Sequence, residues 1–396
     1  MQRVPGVVVV GAGPVGFLTA LGVARGGIPV TVIEAEPAIN DSPRATIYFP
    51  TTLTVLAELG LLEDALALSY ISSRFSYRLL ATGESIHVDT ARTAPPDAPF
   101  TYNAHFGQHR LAQLVSQHLL RLPNTAVRWS TRLVALESGA EGCTLTLESA
   151  AGREELHADW VVGADGARSA VRHLLGLAFE GHTWPERFVA TNLEYDFERY
   201  GFEPANMVAD PVNWAVVARL GLENEWRVTY AEDASISEEE ARRRIPQHYA
   251  AILPDPEAPF RILASSPYRV HERCAPTFRV GRVLLAGDAA HACNPCGGMG
   301  LTGGVIDALA LAQVLKAVVH GKAGEAVLDF YARERRRVFL EVSSPVATEM
   351  KRRMSEPDPA RQRADFEAFR QQAESPEQAA MSTTLSKLVM GQPMPV

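Results

Sequence analysis

The chain of 396 residues is long enough for the cores of about two or three domains, and its 46% hydrophobic and 21% charged residues are ordinary for a soluble globular enzyme. A net charge of −8 and the lack of a long Lys/Arg stripe argue against nucleic acid as a partner. Four cysteines do not make a disulfide framework, so we expect a reducing, cytoplasmic location.

The N-terminal segment from Val4 to Ala24 carries no charge, a property that membrane spans and signal peptides share. Glycines and a proline interrupt this segment, and no basic n-region precedes it. Its apolar pattern also divides into a β-type run and a helical run. We therefore expect a strand and a helix here, with no stable membrane insertion.

A glycine-rich turn joins these two elements. The apolar run Val7 to Val10 predicts a strand covered on both faces. The motif G-x-G-x-x-G follows at Gly11, Gly13 and Gly16, where glycine permits a tight turn, close approach of a pyrophosphate and close helix–strand packing. Glu34 ends the next predicted strand and is placed to bind an adenosine ribose. The unit predicts a dinucleotide site but does not separate NAD from FAD.

In two later segments, an aspartate also comes directly after a predicted strand. In "WVVGADGARSAVR", residues 160–172, the aspartate is Asp165, and in isolation this pattern is an ordinary Asp-Gly turn. In "GDAAHACNPCGGMGLTGG", residues 287–304, Asp288 precedes a run of glycines and a helix predicted from about Thr302. The positive N-terminal end of such a helix stabilises an anion.

The second segment also contains a Cys-x-x-Cys pair, Cys293 and Cys296, and one histidine, His291. No second cysteine pair has zinc spacing, and one histidine does not complete a tetrahedral site, so we predict no metal. A thiol redox pair beside a cofactor stays open. Otherwise the cysteines are small apolar loop residues that line a substrate pocket, and His291 is a structural residue of the loop.

In their order along the chain, these motifs resemble those of the class A flavoprotein aromatic hydroxylases, the para-hydroxybenzoate hydroxylase superfamily. "PRA" at Pro43–Ala45 and "GQHRLAQLV" at Gly107–Val115 match further positions of that family. The resemblance covers about residues 4–345 and is weak between about 176 and 275.

The resemblance implies one non-covalent FAD, with NADPH or NADH as a transient electron donor that has no domain of its own. No second G-x-G-x-x-G is present, which agrees with this. In this family a flavin C4a-hydroperoxide, formed with O₂, attacks an electron-rich ring carbon, so the cofactor carries the hard step. We therefore expect a monooxygenase that hydroxylates a phenolic, polycyclic or heteroaromatic small molecule.

The resemblance also assigns cofactor contacts. The glycine motif and Glu34 bind the ADP half of FAD. Asp165 lies near the pyrophosphate, and Asp288 binds the ribityl chain. Arg44 and Arg110 face the cofactor. The backbone N–H groups that contact the isoalloxazine ring belong to Gly300, Leu301 and Thr302, and Pro295 lies beside the reacting face of the flavin.

The substrate side is predicted from the middle of the chain, where a base near a phenol hydroxyl would assist the reaction. We expect Tyr195 and Tyr230 as catalytic groups, with packing in the sheet as the alternative for each residue. The expected substrate contacts are His182, Asn213, Trp214 and Arg219.

The predicted fold class is α/β, with a Rossmann-like FAD-binding domain, an inserted antiparallel β-sheet substrate domain and a helical C-terminal tail. The FAD-binding domain comprises residues 1–72, 101–176 and 276–345, and includes one helix over Thr51–Ala67. The substrate domain comprises 73–100 and 177–275. The tail, 346–396, is predicted to contain two helices that begin at Asp358-Pro359 and Ser375-Pro376, since each pair suits a helix N-terminus.

Other functions remain open at this stage. A halogenase shares the fold, but its W-x-W-x-I-P signature is absent, as is any lysine between Gly83 and Val270. A flavin-dependent reductase, an epoxidase and a non-catalytic flavin protein are further alternatives. Apart from the small aromatic substrate and O₂, we expect no partner beyond a second copy, so the protein is a monomer or a homodimer.

Overall fold

The computed structural model describes residues 2–375 and 377–396, which form three β-sheets surrounded by helices. Within these residues the strands are β1 (Gln2–Val10), β2 (Val30–Ile33), β3 (Ile47–Tyr48), β4 (Tyr70–Ser72), β5 (Arg74–Leu79), β6 (Ser85–Asp89), β7 (Asn103–His105), β8 (Thr125–Arg128), β9 (Arg132–Ser138), β10 (Cys143–Ser149), β11 (Gly152–Gly163), β12 (Glu180–Glu194), β13 (Ala205–Ala209), β14 (Ala215–Arg219), β15 (Glu225–Asp233), β16 (Arg261–Cys274), β17 (Arg279–Val280), β18 (Val283–Leu285) and β19 (His291–Ala292). The α-helices are α1 (Pro14–Ala24), α2 (Pro50–Glu58), α3 (Leu62–Ala67), α4 (Thr90–Thr93), α5 (Gln108–Leu120), α6 (Ala170–Leu174), α7 (Glu238–Arg243), α8 (Ile245–Ile252), α9 (Met299–Val319), α10 (Ala326–Val338), α11 (Ser344–Met354), α12 (Pro359–Glu374) and α13 (Glu377–Met390).

The first sheet has the order β17-β18-β11-β1-β2-β8 and is parallel from β18 to β8. Its central strand β1 is continuously apolar at residues 7–10 because both faces are buried, with α1 packed between α5 and α9 on one side. The register aligns the carboxyl ends of four strands, at Val10, Ile33, Gly163 and Leu285. In open α/β sheets, ligands bind just beyond this edge. Glu34, Asp165 and Asp288, which follow β2, β11 and β18, therefore lie at the same edge of the sheet.

The second sheet has the order β19-β16-β12-β15-β14-β13-β5-β6 and is antiparallel except for the β13–β5 pair. Successive side chains along each strand alternate between its two faces. One face, here called the helix face, carries Tyr195, Trp226 and Tyr230 and is covered by α7 and α8. The other, here called the cleft face, carries Phe188 and Tyr268, with Trp214 beside it at the start of β14. A small third sheet, β3-β7-β4, completes the fold.

Two helix boundaries differ from those that the sequence predicts. The helix expected over Thr51–Ala67 is two helices, α2 and α3, because the chain turns at Gly60 with a φ of +54°. The helix expected from about Thr302 begins at Met299, after Gly298 with a φ of +65°. Left-handed glycines end or start a helix at little cost, which explains both differences.

Helix α9 is long and apolar enough to cross a membrane by composition, but 78% of its apolar window is buried inside the protein. It is therefore the core helix of the fold. After α10, one turn of π-helix over Phe339–Ser343 leads into α11. Asp358 caps α12 through a hydrogen bond from the Ala360 amide at 2.9 Å, with Pro359 at the first helical position as predicted. Pro376 lies outside the described residues.

Candidate active site

The glycine motif forms a tight loop at the start of α1. A Cβ added at Gly11 would lie 2.4 Å from the carbonyl oxygen of Ala164, and Gly11 has a φ of +109°. A Cβ added at Gly16 would lie 2.0 Å from the carbonyl oxygen of Gly11. At Gly13, by contrast, no atom comes within 4 Å of an added Cβ, so the loop is open on that side. Among the described residues, no side chain caps α1, whose N–H groups are left for a ligand such as a phosphate.

Glu34 follows β2 directly and braces this loop. Its Oε2 atom accepts a hydrogen bond from the Ala12 amide at 2.8 Å, and its Oε1 atom accepts one from the Glu36 amide at 2.9 Å. The carboxylate has lone pairs left over, since each oxygen can accept more than one hydrogen bond. It can therefore hold the loop and a ribose hydroxyl at the same time.

Asp165 follows β11 and caps α6 beside the glycine loop. Its carboxylate accepts hydrogen bonds from the Ser169 hydroxyl at 2.5 Å and from the Ala170 amide at 2.6 Å, which caps α6. Burial raises its pKa, and these hydrogen bonds oppose that rise. Its Cα lies 2.9 Å from a Cβ added at Gly11. Asp165 therefore shapes the glycine loop through its backbone, and its side chain points into α6.

Asp288 follows β18 in a short 3-10 turn, Gly287–Ala289. Its side chain is open to the cleft, yet the surrounding protein desolvates it enough to raise its pKa, against the attraction of His291 and Arg44. Among the described residues, none donates a hydrogen bond to this carboxylate. An exposed acceptor without a donor of its own suits the hydroxyl groups of a sugar alcohol chain.

The N-terminus of α9 lies across the same cleft. Gly298 must be glycine, because a Cβ there would lie 2.4 Å from the ring of Phe49. Gly300 and Leu301 are half-buried in the first turn, while Thr302 is buried and its hydroxyl donates to the Gly298 carbonyl at 2.8 Å. In the part of the chain that the structure describes, no side chain caps this helix either. Its free N–H groups can bind the polar edge of a flat ring.

These features fit FAD. The open loop and uncapped start of α1 suit the pyrophosphate, Glu34 suits the ribose, Asp288 suits the ribityl chain, and the start of α9 suits the isoalloxazine ring. Arg44 is exposed beside this cleft, with its guanidinium carbon 5.1 Å from the ring centroid of Tyr268. Arg110 is exposed in the first turn of α5.

The two tyrosines expected to act in catalysis lie on the helix face, and this placement corrects that expectation. Tyr195 donates a hydrogen bond to the Asp255 carbonyl at 3.0 Å. Tyr230 packs against His248 with ring centroids 4.3 Å apart, and burial raises its pKa. The whole thickness of the sheet separates both rings from Pro295, because alternate residues of a strand point to opposite sides.

Two of the expected substrate contacts, His182 and Arg219, also lie elsewhere. His182 is exposed near an end of β12, 5.2 Å from the Trp184 ring. Arg219 is bound to Glu198 at 2.5 Å, and the backbone of Asn213 is held in a turn by Asp210 at 2.7 Å. Of the four, only Trp214 belongs to the apolar cluster of the cleft face.

The cleft face supplies an apolar wall and two polar groups that sequence analysis missed. Trp214 packs edge-on against Phe188 at 4.9 Å, and Met354 of α11 closes the cluster. Tyr268 is half-buried, and burial raises its pKa, so its hydroxyl stays protonated. Arg227 is buried and donates to the Asn192 side chain at 2.7 Å and to the backbone carbonyl of Arg44. Strand alternation is the signal that could have found them. On β15, Trp226 and Tyr230 point to the helix face, so Arg227 between them points to the cleft face.

Hydrogen bonds of the buried Asn294 side chain hold the loop that carries Pro295. Asn294 is fully buried, its side-chain amide donates to Glu272 at 3.1 Å, and its oxygen accepts from the Cys296 amide at 3.1 Å. Pro295 itself is exposed.

Burial raises the pKa of the thiols of Cys293 and Cys296, so both are poor sources of thiolate at neutral pH. The described residues contain no group of histidine, cysteine and acidic side chains that could hold a metal.

A cluster of positive charge lies beside the turn that contains Asp165. Arg168 is exposed in this turn, and Arg273 donates to the Phe179 carbonyl at 2.8 Å. Between them, His271 bonds Thr183 at 2.9 Å. Burial lowers the pKa of His271, and four neighbouring arginines, Arg273, Arg269, Arg168 and Arg172, lower it further. This surface suits an anion such as a dinucleotide phosphate.

Comparisons with known proteins agree with this geometry. The FAD binding domain family matches residues 5–344. Para-nitrophenol 4-monooxygenase of Pseudomonas sp. (strain WBC-3) is 46% identical over 94% of this chain and 92% of its own, and 6-hydroxy-3-succinoylpyridine 3-monooxygenase of Pseudomonas putida is 41% identical over 91% of each.

Two solved structures show the same architecture. The crystal structure of p-nitrophenol 4-monooxygenase from Pseudomonas putida DLL-E4 superposes with a TM-score of 0.95, at 42% identity, over 99% of this chain and 100% of that one. Aklavinone-11 hydroxylase, solved with FAD and aklavinone, superposes with a TM-score of 0.79 at 28% identity, over 89% of this chain and 69% of that one.

Proposed function

The chain belongs to the class A FAD-dependent aromatic hydroxylases, and from this premise we propose that it hydroxylates a phenol at the ring carbon para to the hydroxyl group. That it is an FAD-dependent aromatic monooxygenase follows from the family and the relatives. The position of attack and the electron donor, NADH or NADPH, are the parts that we propose.

The names of two relatives support the para position. One acts at position 4 of para-nitrophenol, directly across the ring from the hydroxyl group. The other acts at position 3 of 6-hydroxy-3-succinoylpyridine, and position 3 lies across that ring from the hydroxyl at position 6. In both substrates the attacked carbon already carries an electron-withdrawing group. We extend to this chain the shared pattern of a hydroxyl and a substituted para carbon.

Attack at a substituted carbon has a defined outcome. With a nitro group there, a C–O bond forms as the C–N bond breaks, and nitrite leaves with the bonding electron pair. The ring becomes a quinone, one oxygen atom of O₂ enters it, and the other leaves as water at the expense of one NAD(P)H. Reduction of the quinone to a hydroquinone consumes a second NAD(P)H.

The cleft face supports this reaction through binding and charge. Bound FAD supplies the activated oxygen from O₂ and the electrons of NAD(P)H. Phe188 and Trp214 form a buried apolar cluster with Tyr268, and the half-buried ring of Tyr268 offers a surface for the substrate. The positive charges of Arg44 and Arg227 favour the phenolate form, in which the oxygen feeds electron density to the para carbon. The protonated hydroxyl of Tyr268 can donate a hydrogen bond to that oxygen.

We place the docking of NAD(P)H at the cluster of positive charge around His271. Arg168 is exposed there, and the turn that carries it also shapes the glycine loop through Asp165. The donor then binds from the surface without a domain of its own. The observation that carries the proposal as a whole is the cleft face, where an apolar cluster of aromatic rings and two arginines, Arg44 and Arg227, lie together.

The test is product and stoichiometry analysis with a set of phenols that carry nitro, acyl or hydrogen at the para position. We expect para-nitrophenol to consume about two NAD(P)H per nitrite released, and ¹⁸O₂ to label the former nitro carbon. A catechol product would contradict para attack. Chlorinated product with halide present, an epoxide, or a saturated product without label would favour the halogenase, epoxidase or reductase alternatives.

A further inference from the structure

A buried carboxylate at the centre of α9 holds the loop that presents Asp288. Asp307 is fully buried, and its Oδ2 atom accepts hydrogen bonds from the Gly287 amide at 3.0 Å and from His291 Nε2 at 2.7 Å. Its Oδ1 atom accepts one from Arg335 Nε at 2.6 Å. Burial on its own would raise the pKa of Asp307, but His291 and Arg335 lower it to about 2, so the carboxylate is ionised.

Arg335 extends this contact to the end of the chain. Its side chain is 1% exposed, and its Nη1 atom donates to the carbonyl groups of Val389 at 3.0 Å and Met390 at 3.1 Å. These carbonyls belong to the last turn of α13, where a helix leaves its carbonyl groups without internal partners. A buried guanidinium needs acceptors for its donors, so Arg335 and the end of α13 satisfy each other.

The residues after α13 fit closely against α10. Gly391 has a φ of +74°, and a Cβ there would lie 2.8 Å from Glu334 Oε1 and 2.9 Å from a methyl group of Val338. The amide of Gln392 donates to Glu334 at 2.8 Å. Glycine is therefore needed at 391 both for its backbone conformation and for its lack of a side chain.

These contacts form a continuous path from residues 389–392, through Arg335 and Asp307, to Gly287, the residue before Asp288. We propose that docking of residues 389–392 helps to hold FAD, with Arg335 and Asp307 as positioning residues for the loop of Asp288. When the docked end is displaced, the Nη1 atom of Arg335 loses both of its acceptors, which favours a turn of the guanidinium group towards water. Asp307 then loses its ion pair, and the loop around Gly287 loosens. This inference concerns the cofactor and holds for any substrate.

The experiment compares Gly391→Val with Gly321→Val. Gly321 also has a left-handed backbone, with a φ of +67°, but no atom lies within 4 Å of an added Cβ, so it reproduces the strain without the contact. We measure the Kd of FAD on each apoprotein by quenching of flavin fluorescence. Gly391→Val is expected to raise this Kd about tenfold, which corresponds to about 1.4 kcal/mol, and Gly321→Val to change it less than about twofold.

Hydrogen–deuterium exchange of peptides over residues 285–292 and 384–396 gives a second measurement. Both peptides are expected to exchange faster in Gly391→Val and to stay unchanged in Gly321→Val. If the C-terminal peptide loosens while the Kd of FAD and the exchange of 285–292 stay as in the wild type, the proposal is overturned. Should Gly391→Val fail to fold, Gly391→Ala against Gly321→Ala serves in its place. A smaller rise in Kd confined to Gly391→Ala supports the proposal, and equal values overturn it.

Discussion

Tyr230 and Tyr268 are the same kind of residue in the same sheet, but the structure places them on opposite faces. Tyr230 and Tyr268 are both tyrosines of the second sheet whose pKa is raised by burial. Tyr230 lies on the helix face against His248, whereas Tyr268 lies on the cleft face beneath Arg44. Only the second can meet a phenolate in the cleft.

This difference gives a matched pair of variants. Tyr268→Phe is expected to lower kcat/KM for the phenol by about tenfold or more, since a hydrogen bond to a charged oxygen contributes roughly 1.5–3 kcal/mol. Tyr230→Phe removes the same hydroxyl from the helix face and should leave kcat/KM unchanged. Steady-state kinetics on the phenol that turns over best checks this. Equal effects of the two changes would exclude Tyr268 from the substrate site.

Asp288 should contribute more to FAD affinity than either cysteine of its loop. In Asp288→Ala, the sugar alcohol hydroxyls lose a charge-assisted acceptor worth roughly 1.5–3 kcal/mol, so we expect the Kd of FAD to rise about 10- to 150-fold. Cys293→Ala and Cys296→Ala remove no such acceptor. Loss of FAD from the cysteine variants, with Asp288→Ala still saturated, would revive the thiol hypothesis.

The cysteine thiols predict a pH dependence. Since burial raises the pKa of Cys293 and Cys296 above the ordinary value of 9, both are neutral thiols at pH 8, and thiolate appears only at higher pH. Alkylation by iodoacetamide requires the thiolate. Mass spectrometry of the native enzyme treated at pH 8 should therefore find both cysteines unmodified, with modification after denaturation. Rapid native labelling of either one would show a reactive thiol.

At the scale of elements, strand alternation alone is enough to sort the residues of the second sheet into two faces. The sequence predicts an antiparallel sheet in the middle region, as the structure has, but it does not by itself separate the aromatic and polar residues of the two faces. Trp214 and Trp226 show the consequence, since both are buried and they belong to different clusters. Which face meets the cofactor could not be derived locally, because it depends on contacts with residues far along the chain, such as Cys296 and Met354.

The two tryptophans test that assignment. Trp214→Leu opens the apolar wall of the cleft face, so the KM for the phenol should rise several-fold while the Kd of FAD stays constant. Trp226→Leu leaves a comparable gap on the helix face and should lower thermal stability without a change in KM. A rise in KM for Trp226→Leu alone would reverse the assignment of the faces.

The turn that carries Arg168 gives a prediction for the electron donor. Arg168→Gln removes one exposed positive charge from the cluster around His271 and should raise the KM for NAD(P)H several-fold. Arg261→Gln is the control, because Arg261 is an exposed arginine at the other end of β16, paired with Glu194. Stopped-flow reduction of bound flavin measures the effect. Identical reduction rates in the two variants would move the donor site elsewhere.

At the scale of the whole molecule, the FAD cleft was the part that sequence could predict. Gly11, Glu34 and Asp288 each follow a strand of one parallel sheet, and the register brings those strand ends together. Local pattern was enough, since each motif has its own strand and turn. The docking of residues 389–392 on Arg335 carries no such local signal, because it joins two helices through backbone carbonyls that every residue has.

The strand order of the first sheet also bears on how the enzyme is made. Its central strand β1 pairs with β11, and β11 pairs with β18, so strands that are neighbours in the sheet lie far apart in the sequence. Contacts between distant parts of a chain form late and slowly. A nascent chain on the ribosome lacks Ala164 and Asp165, which pack against Gly11, until β11 has been made, and it lacks the complete α9 until synthesis has passed residue 319. We therefore expect flavin to load late in biosynthesis, after all of these segments have been made.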